Sequence, residues 1–545
     1  MGSPEKPIDV EMGDMSDETK ELNPEVKVEL LKKEEPEKDR FTGLKKEELL
    51  AISNEPKWVR ARWVLFILFW LVWIAMLVGA ILIVVNAPRC KPEPVPQWYQ
   101  DTVVYEADVA EFAADFKGME NHLPYIQSLK SDAVLVSGAG DPTGNLPGFD
   151  DLKKAMEDKS MKLMVDLVID TLSISHTYFQ TSAVSGCTGN LCDFFIWRPN
   201  STDLNQEDSK FQWVYNEARG SNYKASKSDA NLAYINYGSA KASEYAMDLV
   251  GSWFNKGIDG VQLRDLANVQ ESDILTNKIW KKYIEDSNAT VPRALFLYSS
   301  AQPATQMLSD LSVNGTNTIP SPVQVNAGPA MEVNKANSGK LIQNSITAWR
   351  SQSRSISAYT VSPLGGPLAE EKYGNKTASG LNLLVLTLPG VPVLRSGDEI
   401  GAQSSVFEWP ETITEESIPE NTNQNTLLTT KGVTVLRVAG IQCLQALRYD
   451  TQDADSTFNF LDIGNDAVVA FLRKWTTKAA VLVVSNMSPT EQTVAVNVAG
   501  GLLDKDDNLV KKTKVVVASS DYSADAEVDL SALKLSPGTT VIFKS

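Results

Sequence analysis

Between Trp63 and Ala87 the chain carries no charged residue, and this stretch constrains the molecule more than any other. Its core, Val64 to Val85, holds about 22 residues; at about 1.5 Å each they span roughly 33 Å, enough to cross a hydrocarbon layer of about 30 Å. Trp63, Trp70 and Trp73 lie in its first half, as expected of an aromatic belt near one interface. A buried helix of a soluble protein is the alternative, but such helices rarely run this long without a polar face. A cleaved signal peptide fits poorly, because the segment starts deep in the chain and is too long for an h-region. The expectation is a transmembrane helix over residues 63–87, a tail over 1–62 and an ectodomain beyond.

Orientation follows from what flanks the helix. Lys57, Arg60 and Arg62 precede it and Arg89 and Lys91 follow it, a slight basic excess on the N-terminal side. The glycosylation sequons at Asn200, Asn288, Asn314, Asn375 and Asn486 all lie beyond the helix, the last followed by Pro489. So do all four cysteines, Cys90, Cys187, Cys192 and Cys443. An oxidising exterior on that side, and hence an N-inside, C-outside single-pass (type II) topology, is expected.

The formal net charge of −18 argues against nucleic acid as a partner, because phosphate backbones call for basic patches. Only two histidines are present, and neither a CxxC pair nor HExxH occurs, so no structural metal and no cofactor are expected.

Residues 1 to about 40 are rich in Glu, Lys, Asp and Pro and read as disordered tail. Thr42 is placed to cap a short helix carrying Leu44, Leu49 and Leu50, unless the tail simply continues. Pro88, Pro92, Pro94 and Pro96 mark an extended neck over 88–100. Beyond it, apolar runs alternate with helical patterns. Thr102-Val-Val-Tyr, Ala133-Val-Leu-Val, Lys162-Leu-Met-Val-Asp-Leu-Val-Ile, Asp259-Gly-Val-Gln-Leu, Ala294-Leu-Phe-Leu-Tyr and Val391-Pro-Val-Leu read as strands, and Leu152 to Asp158 and Ala240 to Lys256 as helices. That alternation predicts a parallel sheet, a (β/α)8 TIM barrel over 101–454, interrupted by a polar insertion at about 181–235. From about 455 short β runs at turn-rich spacing predict an antiparallel β-sandwich to residue 545.

Several of these motifs resemble the α-amylase family of glycoside hydrolases: Phe149-Asp-Asp-Leu-Lys-Lys-Ala-Met into Lys162-Leu-Met-Val-Asp-Leu-Val-Ile, then Gly257-Ile-Asp-Gly-Val-Gln-Leu-Arg, and Leu388-Pro-Gly-Val-Pro-Val-Leu-Arg-Ser-Gly-Asp-Glu-Ile-Gly. Their order fits the third, fourth and eighth barrel strands. Phe41-Thr-Gly-Leu-Lys-Lys-Glu-Glu-Leu-Leu, Trp58-Val-Arg-Ala-Arg-Trp and Ala87-Pro-Arg-Cys resemble the heavy subunits of heteromeric amino-acid transporters. The insertion, with Asp193-Phe-Phe-Ile-Trp-Arg-Pro, looks more like the heavy chain associated with cystine transport and like true glycosidases.

Retaining glycoside hydrolysis needs two carboxyls about 5–5.5 Å apart. The α-amylase resemblance places the nucleophile at Arg264 and its supporting arginine at Gln262. Asp265 is one residue on, which on a strand points to the other face. The acid/base Glu would follow Tyr298, where Ser299, Ser300 and Ala301 stand, and an Asn-His pair is replaced by Asp170-Thr171. Asp166, His176, Asp398 and Glu399 persist and read as structural: a loop-tying Asp, a helix-start His and an eighth-strand loop. No catalytic residue and no glycosidase activity are expected.

The transporter resemblance implies a disulfide from Cys90 to a multi-span light chain at the plasma membrane. It also raises contact with integrin-type receptors through tail or helix. Cys187 and Cys192 could close a small loop, and Cys443 reads as a buried thiol. Gly79-Ala80 would permit close helix approach, or simply face membrane lipid. With no ionisable residue in the span, the chain forms no transport pathway alone. Three readings follow: a transporter subunit, a membrane-tethered glycoside hydrolase, and an adhesion or signalling receptor.

Overall fold

The computed structural model describes residues 46–86, 97–200, 211–265, 269, 272–285, 292–298, 323–326, 332–352, 357–404, 409–410, 413, 456–475, 480–504 and 508–545. Cys90, Cys443, Asn288, Asn314, Thr42 and residues 299–301 lie outside them. The chain divides into two compact units, Met1–Pro94 and Val95–Ser545.

The first unit holds two helices, Lys46–Ser53 and Pro56–Asn86. Pro56 suits a first helical position, where its missing N–H costs nothing. The long helix starts two turns before the charge-free stretch and takes in Lys57, Arg60 and Arg62. Its span Pro56–Ile83 has a mean hydropathy of 2.8, and among the described residues no other helix is long and apolar enough to cross a membrane. Trp63, Phe66, Trp70 and Trp73 meet edge to face, with ring centres 5.5–6.3 Å apart. The rings therefore run along one helix face, over a rise of about 15 Å, rather than girdling one depth as a belt does.

The second unit opens with a parallel barrel. Its first strands are β1 (Val104–Asp108), β2 (Ala133–Ser137) and β3 (Lys162–Val168). After β3 the chain leaves the barrel for an excursion: β4 (Thr171–Ser173), β5 (Trp197–Pro199), β6 (Phe211–Asn216), β7 (Ser221–Ser226) and β8 (Leu232–Tyr234). It resumes with β9 (Gly260–Arg264), β10 (Ala294–Tyr298), β11 (Val323–Asn326), β12 (Ser357–Thr360) and β13 (Val391–Arg395). The barrel closes in the order β1-β13-β12-β11-β10-β9-β3-β2. Strands such as Ala-Val-Leu-Val-Ser and Val-Pro-Val-Leu-Arg are buried at every position, because helices cover the outside and side chains fill the lumen. Alternate residues divide the work. Val104, Leu135, Met164, Phe296 and Val393 pack inside, while Tyr105, Val134, Val165 and Leu297 pack against the helices.

The excursion begins earlier than the polarity of 181–235 suggested. Its own five-stranded sheet starts at Thr171, and an aromatic cluster including Phe179, Phe194, Phe195 and Tyr223 gives it a core.

From Ser456 the chain builds a six-stranded antiparallel sheet, β14 (Ser456–Phe460), β15 (Val468–Trp475), β16 (Val481–Asn486), β21 (Thr539–Lys544), β18 (Lys512–Ala518) and β19 (Glu527–Asp529), in that order. A two-stranded sheet, β17 (Gln492–Val494) with β20 (Leu533–Leu535), completes it. This domain is fused to the barrel. Fully buried Arg473 donates to the Thr387 carbonyl, and Thr540 donates to the Gly380 carbonyl at 2.8 Å. Gly380 sits so close to the Gly538 backbone that any side chain there would collide with it.

Candidate functional site

In a TIM barrel the working end is where strands finish. Here β1, β3, β9 and β10 bring Glu106, Asp166, Gln262, Arg264 and Tyr298 there, all on the lumen-facing parity set by Val104, Met164 and Phe296. Asp166 is the centre of this group. Its Oδ1 accepts from Gln262 Nε2 at 3.0 Å, and its Oδ2 forms an ion pair with Arg264. The Asp166 side chain is 2% exposed and that of Arg264 15%. Burial pushes the Asp166 carboxyl up, against the pull of Arg264 and Gln262. Arg264 goes up too: burial resists, but the carboxylates of Asp166 and Glu106 outweigh it.

The strand alternation expected to turn Asp265 away stops one residue short of it. β9 ends at Arg264, and Asp265 takes a left-handed backbone (φ 59°) with its N–H bonded to the Tyr298 carbonyl. Its charge is felt by Arg264 and Asp166, so it belongs to the group without following the strand. Asp170 lies at the root of the excursion, buried, with its carbonyl accepting from Ile235 N. His176 caps the helix Thr177–Ser182, its Nδ1 accepting from Tyr178 N at 3.1 Å.

Sequence reasoning missed Glu106 and Tyr298 as members of the group. A carboxylate inside the apolar run Val-Tyr-Glu-Ala was the signal for Glu106.

Chemically, Asp166 has no free role. Both its oxygens are engaged, and the charge beside it is a cation, which would oppose an oxocarbenium-like transition state. What the arrangement can do is hold the strand ends together. Among the described residues no cluster of His, Cys, Asp and Glu could hold a metal ion.

Asp398 and Glu399 form a second, fully interior pair just after β13. Glu399 Oε1 accepts from the hydroxyls of Tyr105 (2.7 Å) and Tyr125 (2.9 Å), and its Oε2 from Gly397 N (2.8 Å). Asp398 Oδ1 accepts from Ser362 Oγ and Ala369 N, both at 3.0 Å. Burial lifts Glu399 from 4.5 to about 7 and Asp398 from 3.8 to about 6, ahead of the hydrogen bonds that pull them down. The folded chain thus keeps these protons at pH values where the unfolded chain has lost them. Their stabilisation is complete below the unfolded values and is lost as pH rises through about 6 to 7. The unfolding midpoint of the detergent-solubilised chain is expected to fall between about pH 5 and about pH 8, and Glu399→Gln to flatten that fall. A midpoint that rises over this range, with Glu399→Gln without effect on the slope, would exclude these two carboxyls as its cause.

The remaining predicted positions are spread out. Cys187 and Cys192 are joined as a disulfide at the edge of the excursion, Cα atoms 5.6 Å apart. Asn200 and Asn375 are exposed. Asn486 is the correction: it is fully buried, and its Nδ2 donates to the carbonyls of Thr490, Leu535 and Ser536. A glycan on that nitrogen cannot coexist with this fold.

Residues 27–105 match the family model for the N-terminus of solute carrier family 3 member 2, and residues 141–294 that for the alpha amylase catalytic domain. The amino acid transporter heavy chain SLC3A2 of Oryctolagus cuniculus is 26% identical over 411 residues, covering 71% of this chain and 64% of that protein. The amino acid transporter heavy chain SLC3A1 of Homo sapiens is 23% identical over 442 residues, covering 66% and 62%. The chain thus spans just under two thirds of the length of these relatives. Trehalulose synthase MutB of Pseudomonas mesoacidophila superposes with a TM-score of 0.61 at 15% identity, over 83% of this chain and all of that one.

Proposed function

We propose, for a chain related to the amino acid transporter heavy chains and carrying the alpha-amylase fold, that it is a non-catalytic heavy subunit. In this reading the helix Pro56–Asn86 spans the plasma membrane once, N-terminus inside, and the barrel and sandwich lie outside. Cys90 forms a disulfide with a multi-span light chain, which the heavy subunit stabilises and carries to the surface. Amino-acid transport belongs to that partner, since the stretch Trp63–Ala87 carries no ionisable side chain.

The observation that carries the non-catalytic part is the Arg264–Asp166 ion pair at the end of β9 and β3. A guanidinium stands at the position that the α-amylase resemblance gives to the nucleophile, and the neighbouring carboxylate is consumed in holding it. Removing both nucleophile and acid abolishes such chemistry rather than slowing it. The purified chain is expected to release no detectable aryl alcohol from an aryl α-glucoside. Turnover that disappears on Asp265→Asn would reverse the assignment and make the chain a tethered glycosidase.

A further inference from the structure

The excursion sheet has two unlike faces. Val214 of β6 and Tyr223 of β7, opposite each other in register, pack into the Phe179–Phe195 cluster. On the other face Phe211, Trp213 and Tyr215 stand in a row, because alternate residues of a strand share a face about 6.8 Å apart. Neighbouring strands lay cations among these rings. Lys224 Nζ is 4.1 Å from the Phe211 ring centre, and the Arg198 guanidinium lies 4.5 Å over Trp213. Tyr215, at the end of the row, is 49% exposed.

One buried side chain ties this face to a modification sequon. Asn222 stands opposite Tyr215 and is 2% exposed. Its Nδ2 donates to Oδ1 of exposed Asn200 at 3.4 Å. Asn200-Ser-Thr is a glycosylation acceptor. The bond from Asn222 uses only the carbonyl end of that amide and leaves its nitrogen available. The acceptor is therefore held beside the open end of an aromatic row.

We propose that the row Phe211, Trp213 and Tyr215 is the bed for an N-linked oligosaccharide carried on Asn200 of the same chain. The inference rests on the reading that residues beyond the helix are extracytoplasmic. Attachment joins Asn200 Nδ2 to C1 of the reducing-end N-acetylglucosamine of a lipid-diphosphate-linked oligosaccharide. The C1–O bond breaks, the lipid diphosphate leaves with the electron pair, and the amide proton passes to a base on the transferring enzyme. Oδ1 is not consumed, so the Asn222 bond persists. The exposed Tyr215 ring suits the weakly positive C–H face of a pyranose, and Arg198 and Lys224, seated on Trp213 and Phe211, offer donors to sugar hydroxyls. Because the sugar is tethered, even weak stacking holds it at high effective concentration.

The test compares glycopeptides at Asn200 and Asn375 from the full chain made in cultured animal cells, as wild type, Tyr215→Ser and Trp213→Ser. Asn375 is exposed at the start of a barrel helix and serves as the internal reference. The expected result is an Asn200 glycan shielded from processing enzymes, left oligomannose while Asn375 matures. Both variants then shift Asn200 to complex compositions and leave Asn375 unchanged. An occupied Asn200 that matures equally in wild type and variants overturns the bed but leaves the topology standing. So does an empty Asn200 beside an occupied Asn375. Both sites empty overturns the bed and the topology together. Should Trp213→Ser fail to leave the endoplasmic reticulum, the exposed Tyr215→Ser decides alone.

Discussion

Asp166→Leu is expected to destabilise the barrel by about 3–5 kcal/mol, because it removes the carboxylate that is ion-paired with the largely buried Arg264 guanidinium. Two charges removed from water are tolerable as a pair and costly singly. The pair itself need not be a net gain, since replacing a buried pair by apolar residues of similar size is often neutral or stabilising. The double variant Asp166→Leu/Arg264→Met is therefore expected to recover to within about 1 kcal/mol of wild type or to exceed it. Gln262, whose Nε2 also bonds Asp166, sets part of the residual loss. Chemical denaturation of the single and double variants reads the coupling directly. Additive losses would mean that the two side chains act independently and that the ion pair does not organise the strand ends.

Cys90→Ser is expected to abolish a heavier covalent species on non-reducing gels of membranes while leaving the chain itself abundant. Cys187 and Cys192 are joined to each other, so neither is available to a partner without breaking that bond. Cys443 falls in the apolar run Val-Leu-Arg-Val-Ala-Gly-Ile-Gln-Cys-Leu, where a buried thiol is the natural reading. Cys90 follows the end of the helix Pro56–Asn86 by four residues and precedes the barrel. In the proposed topology, a thiol four residues past the helix is placed to meet a partner's extracellular loop without disturbing the ectodomain. Persistence of the adduct in Cys90→Ser, with its loss in Cys443→Ser, would move the link to the other cysteine.

How much of this was legible in sequence depended on how local each signal was. Strands buried on both faces announce themselves as apolar runs, so β2, β3, β10 and β13 could be read within a residue or so. β11 (Val-Gln-Val-Asn) and β12 (Ser-Ala-Tyr-Thr) carry no such signal, because four residues with half of them polar fall below any periodicity test. Their identity comes from the closed barrel, which needs two more strands between β10 and β13. The aromatic positions of the long helix were visible, but their arrangement along one face depends on helical phase over three turns. Asn486 failed for the opposite reason. A sequon is a three-residue pattern, whereas burial of its amide by the carbonyls of Leu535 and Ser536 comes from strands some fifty residues away. The Arg264–Asp166 pair was half legible: the substitution at 264 was plain, but the carboxylate that neutralises it lies 98 residues earlier and meets it only through the β3–β9 ladder.

The subunit role is tested most directly by purifying the chain from native membranes without reductant, then reducing it and identifying by mass spectrometry what is released. A multi-span amino-acid transporter released by reduction, with its cross-linked peptide mapping to Cys90, is the predicted result. A chain that migrates alone before and after reduction, or that releases only a soluble extracellular protein, would contradict it.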